Sequence, residues 1–398
     1  MLKDSEVAGL LRYLSFFEPR DLEIARARGQ YVWDREGNMY LDFHTGHGVA
    51  FLGHLHPRVV KELKEQLEVV ATATPSFAVR VREEMLEELE KILPKHLTSV
   101  TLLNSGAEAV EFALKLARRA TGRKKLVGFT NSFHGRTLGA LSVTGNPRYR
   151  APFEPLLPAV EILRFNSVDD LEKIDGETAG VIVELIQGEG GVVPASPDFV
   201  KALVEKARSK GALVMIDEVQ TGFGRTGRIW ASEIYGIEPD VLIAGKAIGG
   251  GFPVSMVALT EEAASKISPG DHGSTYGGNP LACAAVKAST RVLLEERVPE
   301  RAGRAGRELV VRLAESLRGE ELVRAIRGVG LMVGVELRVP PARVLRCMQE
   351  KWRVLALRAG STVVRFLPPY MITDEDIEWG VGALARCLDE EASARAPG

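Results

Sequence analysis

Short apolar runs rich in Val, Ile and Leu alternate along this chain with stretches whose apolar residues recur every three or four positions. The runs at 100–103, 125–129, 160–163, 180–184, 212–217 and 241–244 read as strands. They lack the one-in-two alternation of a half-exposed sheet, which predicts burial on both faces. The stretches at 59–70, 81–93, 107–120, 197–210 and 280–294 have the period of amphipathic helices, several with Asp or Glu in the first turn. Strand and helix in alternation predict an α/β fold, a mostly parallel central sheet covered by helices.

Past residue 294 the texture changes. Charged helical patterns at 295–318 and 341–351 surround strand-like segments at 331–337 and 363–366, which predicts a smaller α+β unit. Near the N-terminus, 31–34 and 39–43 are joined through Arg35-Glu36-Gly37-Asn38, a hairpin pattern suited to a sheet beside that unit. The predicted division is 1–50 as the N-terminal part of a discontinuous small domain, 51–294 as the large domain and 295–398 as the C-terminal part of the small one. There is no internal repeat, low-complexity tract or long Gly/Ser linker, which favours a two-domain enzyme over a modular binder.

Composition narrows the function classes. With 51 Lys plus Arg against 53 Asp plus Glu, the net charge of −2 gives no general pull toward nucleic acid or an anionic membrane. No run of 18 apolar residues exists, and Asp4, Glu6 and Arg12 interrupt what would have to be a signal core, so a cytoplasmic enzyme is expected. Cys283, Cys347 and Cys387 are odd in number and widely spaced, which reads as three small core hydrophobes and as neither disulfide nor zinc site. Six Asn and five Gln in 398 residues is a bias suited to a hot habitat.

Three segments carry candidate chemistry. Asn104-Ser105-Gly106-Ala107-Glu108 opens a helix after a strand, where free N–H groups and the positive end of the helix dipole can receive a phosphate; Ser105 could equally be only a cap. Val214-Met215-Ile216-Asp217-Glu218 ends a strand in two carboxylates, at the sheet edge where α/β folds bind ligands; either acid could instead cap the following turn, or the pair could hold a metal. Ala244-Gly245-Lys246 ends another strand in a lysine among small residues, followed by Gly249-Gly250-Gly251. Desolvation there disfavours ammonium and leaves an amine able to form a Schiff base with an aldehyde. Phosphate cradle, carboxylate for a pyridinium nitrogen and amine for an aldehyde together describe pyridoxal 5′-phosphate.

The sequence resembles the class III pyridoxal-phosphate aminotransferases of the acetylornithine and ornithine aminotransferase type. The resemblance runs from about residue 20 to 388 and is carried by 104–108, Ser132-Phe133-His134-Gly135-Arg136-Thr137, 184–192, 216–227, 244–251 and 274–280. It implies fold type I of the pyridoxal-phosphate-dependent transferases. It also implies that Lys246 holds the cofactor aldehyde and that Asp217 keeps the pyridine nitrogen protonated. Val219 and Phe133 would cover the two ring faces and Gln220 would bond the ring 3-hydroxyl. Ser105, Gly106 and Ala107 would hold the phosphate, with Thr275 of a second subunit completing that site in a homodimer. Arg365 would bind an α-carboxylate, Arg136 the distal carboxylate of glutamate, and Glu189 would pair with Arg365 when the substrate presents a terminal amine. Ser274 belongs to the same substrate group. His134 would flank Phe133, with Lys246 as the base. Ala107, Leu185 and Val110 stand where the family often has Thr, Pro and Asn. Phe16 and Phe17 are candidates for an aromatic residue that some members place on the substrate.

Within the family, 353–369 and Thr45-Gly46-His47-Gly48-Val49-Ala50 most resemble enzymes of prokaryotic lysine synthesis. Those enzymes transaminate a semialdehyde tethered to a small acidic amino-group carrier protein, LysW, some acting on lysine and ornithine precursors alike. The resemblance thus implies an ω-aminotransferase using glutamate and 2-oxoglutarate. Acetylornithine aminotransferase of arginine biosynthesis is the near alternative. An isomerase of the glutamate-1-semialdehyde aminomutase type and a non-catalytic phosphate-ligand binder are the more distant ones.

Overall fold

The structure, a computed structural model, describes residues 13–395. Among these the largest sheet has eight strands. Across it run Leu97–Leu103, Ser255–Thr260, Val241–Ala244, Leu213–Asp217, Thr178–Val183 and Lys125–Thr130, with Thr144–Gly145 and Val160–Leu163 both paired to the last. Every pairing from Val241–Ala244 to Val160–Leu163 is parallel. Ser255–Thr260 runs antiparallel to both of its neighbours. It escapes the sequence pattern because only the short 3-10 turn Lys246–Gly249 and the glycine run separate it from the preceding strand, with no amphipathic α-helix between them.

The helices Pro57–Val69, Arg80–Leu89, Gly106–Thr121, Pro197–Ser209 and Pro280–Glu295 fall where the periodicity predicts them. Gly106–Thr121 illustrates why. Ser105 caps its first turn by accepting from the Glu108 N–H, and Ala109, Val110, Phe112, Ala113, Leu114, Leu116 and Ala117 form the buried stripe. Gly122, at φ 69°, ends it in the left-handed conformation that glycine adopts without strain.

The remaining strands form smaller sheets. Val323–Val329, Met332–Leu337, Val363–Phe366 and Leu357–Ala359 make a four-stranded antiparallel sheet. The hairpin Tyr31–Asp34 and Met39–Asp42 lies between Ile24–Arg28 and Val354–Leu355, the latter pairing parallel to Met39–Asp42. The first residues and the last hundred therefore share a sheet. The helix predicted from 295 starts at Val298, because Arg297 is left-handed at φ 51°. The helix Asp374–Ser393 is absent from the sequence reading. A Thr373–Asp376 capping box starts it, and Asp376 also accepts from Tyr31 (2.6 Å) and Gln30 (2.8 Å), which ties the helix to the hairpin.

One expectation is corrected. Cys347, on the helix Ala342–Trp352, and Cys387, on Asp374–Ser393, are joined in a disulfide, and only Cys283 is a free, buried thiol. A separation of 40 residues gave no sequence signal, since two packed helices bring the pair together. Burial pushes the Cys283 thiol up to about 11. Peptide mapping without reductant is expected to recover the segments holding Cys347 and Cys387 linked, with Cys283 alkylated only after denaturation. Alkylation of Cys347 in the native protein would contradict the pairing.

Candidate active site

The site is built at one edge of the large sheet. Leu213–Asp217 and Val241–Ala244 are adjacent and parallel, with Asp217 in register with Ile243, so Asp217 and Lys246 leave the sheet together at its C-terminal edge. That edge is where open α/β sheets receive ligands. Lys246 is left-handed at φ 46°, a conformation that costs a lysine free energy and persists only where the surroundings enforce it. Its amine faces a cavity of about 510 Å³ lined also by Asn104, Ser105, Gly106, Ala107, Phe133 and Asp217. This volume suits a small organic ligand.

The structure gives the two adjacent acids different surroundings, in line with the role the resemblance implies for Asp217 alone. Asp217 faces the cavity, one carboxylate oxygen accepting from the Val219 N–H (3.0 Å) and the other within 2.7 Å of His134 Nδ1. Glu218 turns away and accepts from the Thr221 hydroxyl and the Ala231 and Ser232 N–H groups. It is the structural cap. Among the described residues no cluster of His, Cys, Asp and Glu suits a metal ion.

At the opposite wall the helix Gly106–Thr121 points its N-terminus into the cavity. The first N–H groups of a helix have no intrahelical partner, which makes this end a natural anion cradle. The loop bearing Phe133 approaches it closely: a Cβ at Gly135, where φ is 136°, would lie 2.6 Å from the Ala107 Cβ. Val219 packs under Gly106, where a Cβ would meet it at 3.0 Å.

Toward the small sheets lies a buried arginine. Arg365 donates from Nη2 to Glu189 Oε1 (2.6 Å) and from Nη1 to Gln220 Oε1 (3.1 Å), while its Nε is buried without a partner. The Nε–Nη2 edge can grip a carboxylate with two hydrogen bonds, and Glu189 takes only one of them. Gly188 permits this packing, since a Cβ there would fall 1.9 Å from Gln220 Oε1. Arg136 lines the cavity mouth, exposed, with its guanidinium 4.3 Å from the centre of the Tyr149 ring.

Burial and charge set the proton affinities. Lys246 makes no hydrogen bond among the described residues. Enclosure by protein, with help from the positive Arg365, brings its amine down to about 8 against the opposing pull of Glu189, Asp217 and Glu184. Burial, with Asp217 adding to it, raises Glu184 to about 7, although His134 and the Phe133 and Gly188 N–H groups favour its charged form.

The sequence profile of the class-III aminotransferases matches residues 17–388. The chain belongs to that family. It is 54% identical over 386 residues to the LysW-aminoadipate semialdehyde/glutamate semialdehyde transaminase of Sulfurisphaera tokodaii, covering 97% of this chain and all of the relative. It is 45% identical over 369 residues to the acetylornithine aminotransferase of Archaeoglobus fulgidus, covering 92% and 96%. The solved ornithine aminotransferase of Toxoplasma gondii superimposes with a TM-score of 0.91 at 33% identity, over 96% of this chain and 93% of that one. This aminotransferase therefore has the fold type I architecture expected for it, and its cofactor is pyridoxal 5′-phosphate. The residues present fit that group: an unpaired helix N-terminus for phosphate, a buried carboxylate at the cavity floor, and a desolvated, unbonded amine.

Among the residues singled out from sequence, Ser105, Gly106, Ala107, Phe133, Arg136, Glu189, Asp217, Val219, Gln220 and Lys246 all line this cavity, and Arg365 abuts it through Glu189 and Gln220. Ser274 does not line it but accepts from the Asn104 amide (3.0 Å), and Thr275 is exposed outside it. Phe16 is exposed, while the Phe17 ring lies 5.4 Å from that of His47. Glu184 escaped the sequence reading, and His134 was read there only as a neighbour of Phe133. Both stand within quoted motifs, but their facing of Asp217 depends on three strands meeting. Val49 and residues 252–254 also line the cavity, and no spacing marks them.

A lysine whose native pKa lies below its unfolded value destabilises the fold at neutral pH, and stability rises between about 8 and 10.5 as the native state sheds its proton first. Lys246→Met is therefore expected to make the cofactor-free protein more stable at pH 7 by roughly 1–3 kcal/mol, an advantage that shrinks as pH passes 8. Thermal unfolding of both cofactor-free proteins from pH 6 to 9 checks this; a gap independent of pH would contradict it.

Proposed function

We propose that this aminotransferase moves an amino group between glutamate/2-oxoglutarate and the semialdehyde of a lysine or ornithine precursor carried on LysW. The observation that bears most weight is the Glu189–Arg365 pair at the cavity wall beside Lys246. One cavity must accept glutamate, with two carboxylates, and a donor whose reacting end is a bare amine. A carboxylate that can occupy or vacate the arginine serves both. The 54% identity to the LysW-aminoadipate semialdehyde/glutamate semialdehyde transaminase supports the substrate class.

When bound, pyridoxal phosphate supplies an aldehyde that takes up the amine and a ring that stabilises negative charge on the amine-bearing carbon. Ser105 and the Gly106 and Ala107 N–H groups would hold the phosphate, Phe133 and Val219 would cover the ring, and Asp217 would keep a proton on the ring nitrogen. His134 fixes the Asp217 carboxylate. Gln220, whose oxygen is taken by Arg365, has its NH₂ free for the ring 3-oxygen. Lys246 Nζ, poised near neutral pH, takes the proton from the amine-bearing carbon and afterwards returns one. Arg365 and Arg136 hold the two carboxylates of glutamate, with Ser274 supporting the wall through Asn104.

The assembly is part of the same reading. Exposed Tyr276 follows Thr275 in the chain, and exposed Phe77 lies on a second loop that Arg82 ties to the first through the Phe77 and Gly278 carbonyls. Exposed aromatic residues on two joined loops suit a second copy of the chain, whose Thr275 would complete the phosphate site in a homodimer. A cytoplasmic location and the division at residues 50 and 294 belong here too. Their supports are that no helix among the described residues is long and apolar enough to cross a membrane, and that residues 39–42 pair with 354–355.

The acetylornithine aminotransferase at 45% identity sustains one competing substrate. Titrating the yellow holoenzyme separately with glutamate, N-acetylornithine and LysW-linked lysine distinguishes them through loss of the visible cofactor band. LysW-linked lysine is expected to bleach it at a concentration at least tenfold below N-acetylornithine, a difference of about 1.4 kcal/mol. Equal or better bleaching by N-acetylornithine would assign the enzyme to arginine synthesis.

A further inference from the structure

Glu189 lies between two nitrogen bases. The same oxygen that binds Arg365 Nη2 at 2.6 Å stands 4.0 Å from His47 Nδ1. A displacement of about 1 Å toward the histidine would make a hydrogen bond. If Glu189 leaves Arg365 to admit an α-carboxylate, its charge needs another partner, because a carboxylate in so enclosed a place is costly without one.

His47 is held in place by a strained segment. Thr45, Gly46, His47 and Gly48 have φ of 46°, 60°, 60° and 90°, four consecutive left-handed residues. The segment is pinned on both sides. Asp42 accepts from the His44 and Thr45 N–H groups, the Thr45 hydroxyl donates to the Leu367 carbonyl, and the buried Arg225 donates to the Gly48 carbonyl. The imidazole itself packs between the rings of Phe17 (5.4 Å) and His44 (4.8 Å). Backbone strain kept by this many bonds at the rim of a reactive cavity is a reason to look for a role.

We propose that His47 is the alternative seat of Glu189. It is a positioning residue that donates from Nδ1–H to the Glu189 carboxylate once Arg365 turns to a substrate carboxylate, and so sets the balance between dicarboxylate and terminal-amine substrates. The inference rests on the reading of the Glu189–Arg365 pair given above and extends it to a residue on another element. The charged and titratable groups around His47 are Glu189, Arg365, Lys246, Arg20 and His44. Burial, followed by the positive neighbours, brings the imidazole down to about 4 against the pull of Glu189, so the donor is the neutral ring. A substrate carboxylate on Arg365 removes one positive charge from the surroundings just as Glu189 approaches.

The test uses the holoenzyme and glutarate, a dicarboxylate without an amine, whose binding is read by calorimetry. His47→Gly removes the ring while suiting the left-handed backbone. His47→Asn also tolerates that backbone and keeps an N–H the same number of bonds from the chain as Nδ1. Losing one hydrogen bond to a charged group is expected to weaken glutarate about tenfold in His47→Gly and less than about threefold in His47→Asn. KM for glutamate should rise relative to that of the terminal-amine donor, with a smaller change in kcat. In a Glu189→Gln background, where no charged carboxylate needs a seat, His47→Gly should have little further effect. Unchanged glutarate affinity in His47→Gly, equal loss in both His47 variants, or a full-sized effect in the Glu189→Gln background would overturn the inference. Wild-type enzyme that neither binds glutarate nor reacts with glutamate would overturn the underlying reading as well.

Discussion

The parallel register of Leu213–Asp217 and Val241–Ala244 is the constraint on which the rest depends. Two neighbouring strands that end at one sheet edge bring a carboxylate and an amine to the same cavity, and the eight-stranded sheet with its helices makes that edge rigid. Everything else in the site is arranged around this pair. The helix Gly106–Thr121 turns its positive end to the far wall, and the loop of Phe133 closes over it through the tight approach at Gly135. If the strands slipped by one residue, Asp217 would point to the other sheet face and the site would be lost.

Burial then converts position into reactivity. In water a lysine amine is protonated at neutral pH and a glutamate is ionised. Enclosure moves Lys246 to about 8 and Glu184 to about 7, so both can exchange protons where an exposed residue could not. The cost appears as backbone strain at Lys246, as an unbonded amine and as the orphaned nitrogens of His134 and Arg365. Such defects are tolerated because the sheet core, with Val214, Met215, Ile216, Leu242 and Ile243 essentially inaccessible to solvent, holds the fold independently of them.

Much of this was legible in the sequence, for physical reasons. Strands covered on both faces must be apolar throughout, so 241–244 was marked to the residue; 160–163 was marked as well, although it is a half-buried edge strand carrying Glu161 and not the fully covered strand expected. The helix starting at Gly106 announced itself through its Ser cap and apolar stripe. Motif resemblance marked the cavity-lining residues, since the chemistry demands particular side chains at the ends of particular strands. Features that depend on long-range meeting were invisible. The Cys347–Cys387 bond joins two helices whose packing no spacing reveals. The antiparallel strand Ser255–Thr260 breaks the βαβ rhythm. Motif resemblance singled out Asp217 over Glu218, but the physical reason, the Thr221, Ala231 and Ser232 groups that turn Glu218 inward, was not legible. His47 drew attention only as part of a motif, because its relation to Glu189 is made by loops 142 residues apart in sequence (189 − 47).

Lys246 as the residue that holds the cofactor aldehyde is the claim from which the others follow, and it can be addressed by covalent capture. Borohydride reduction of the holoenzyme, followed by proteolysis and mass mapping, is predicted to place the reduced cofactor on the peptide containing Lys246 and nowhere else. Recovery of that peptide unmodified, or of the label on a different lysine, would contradict it.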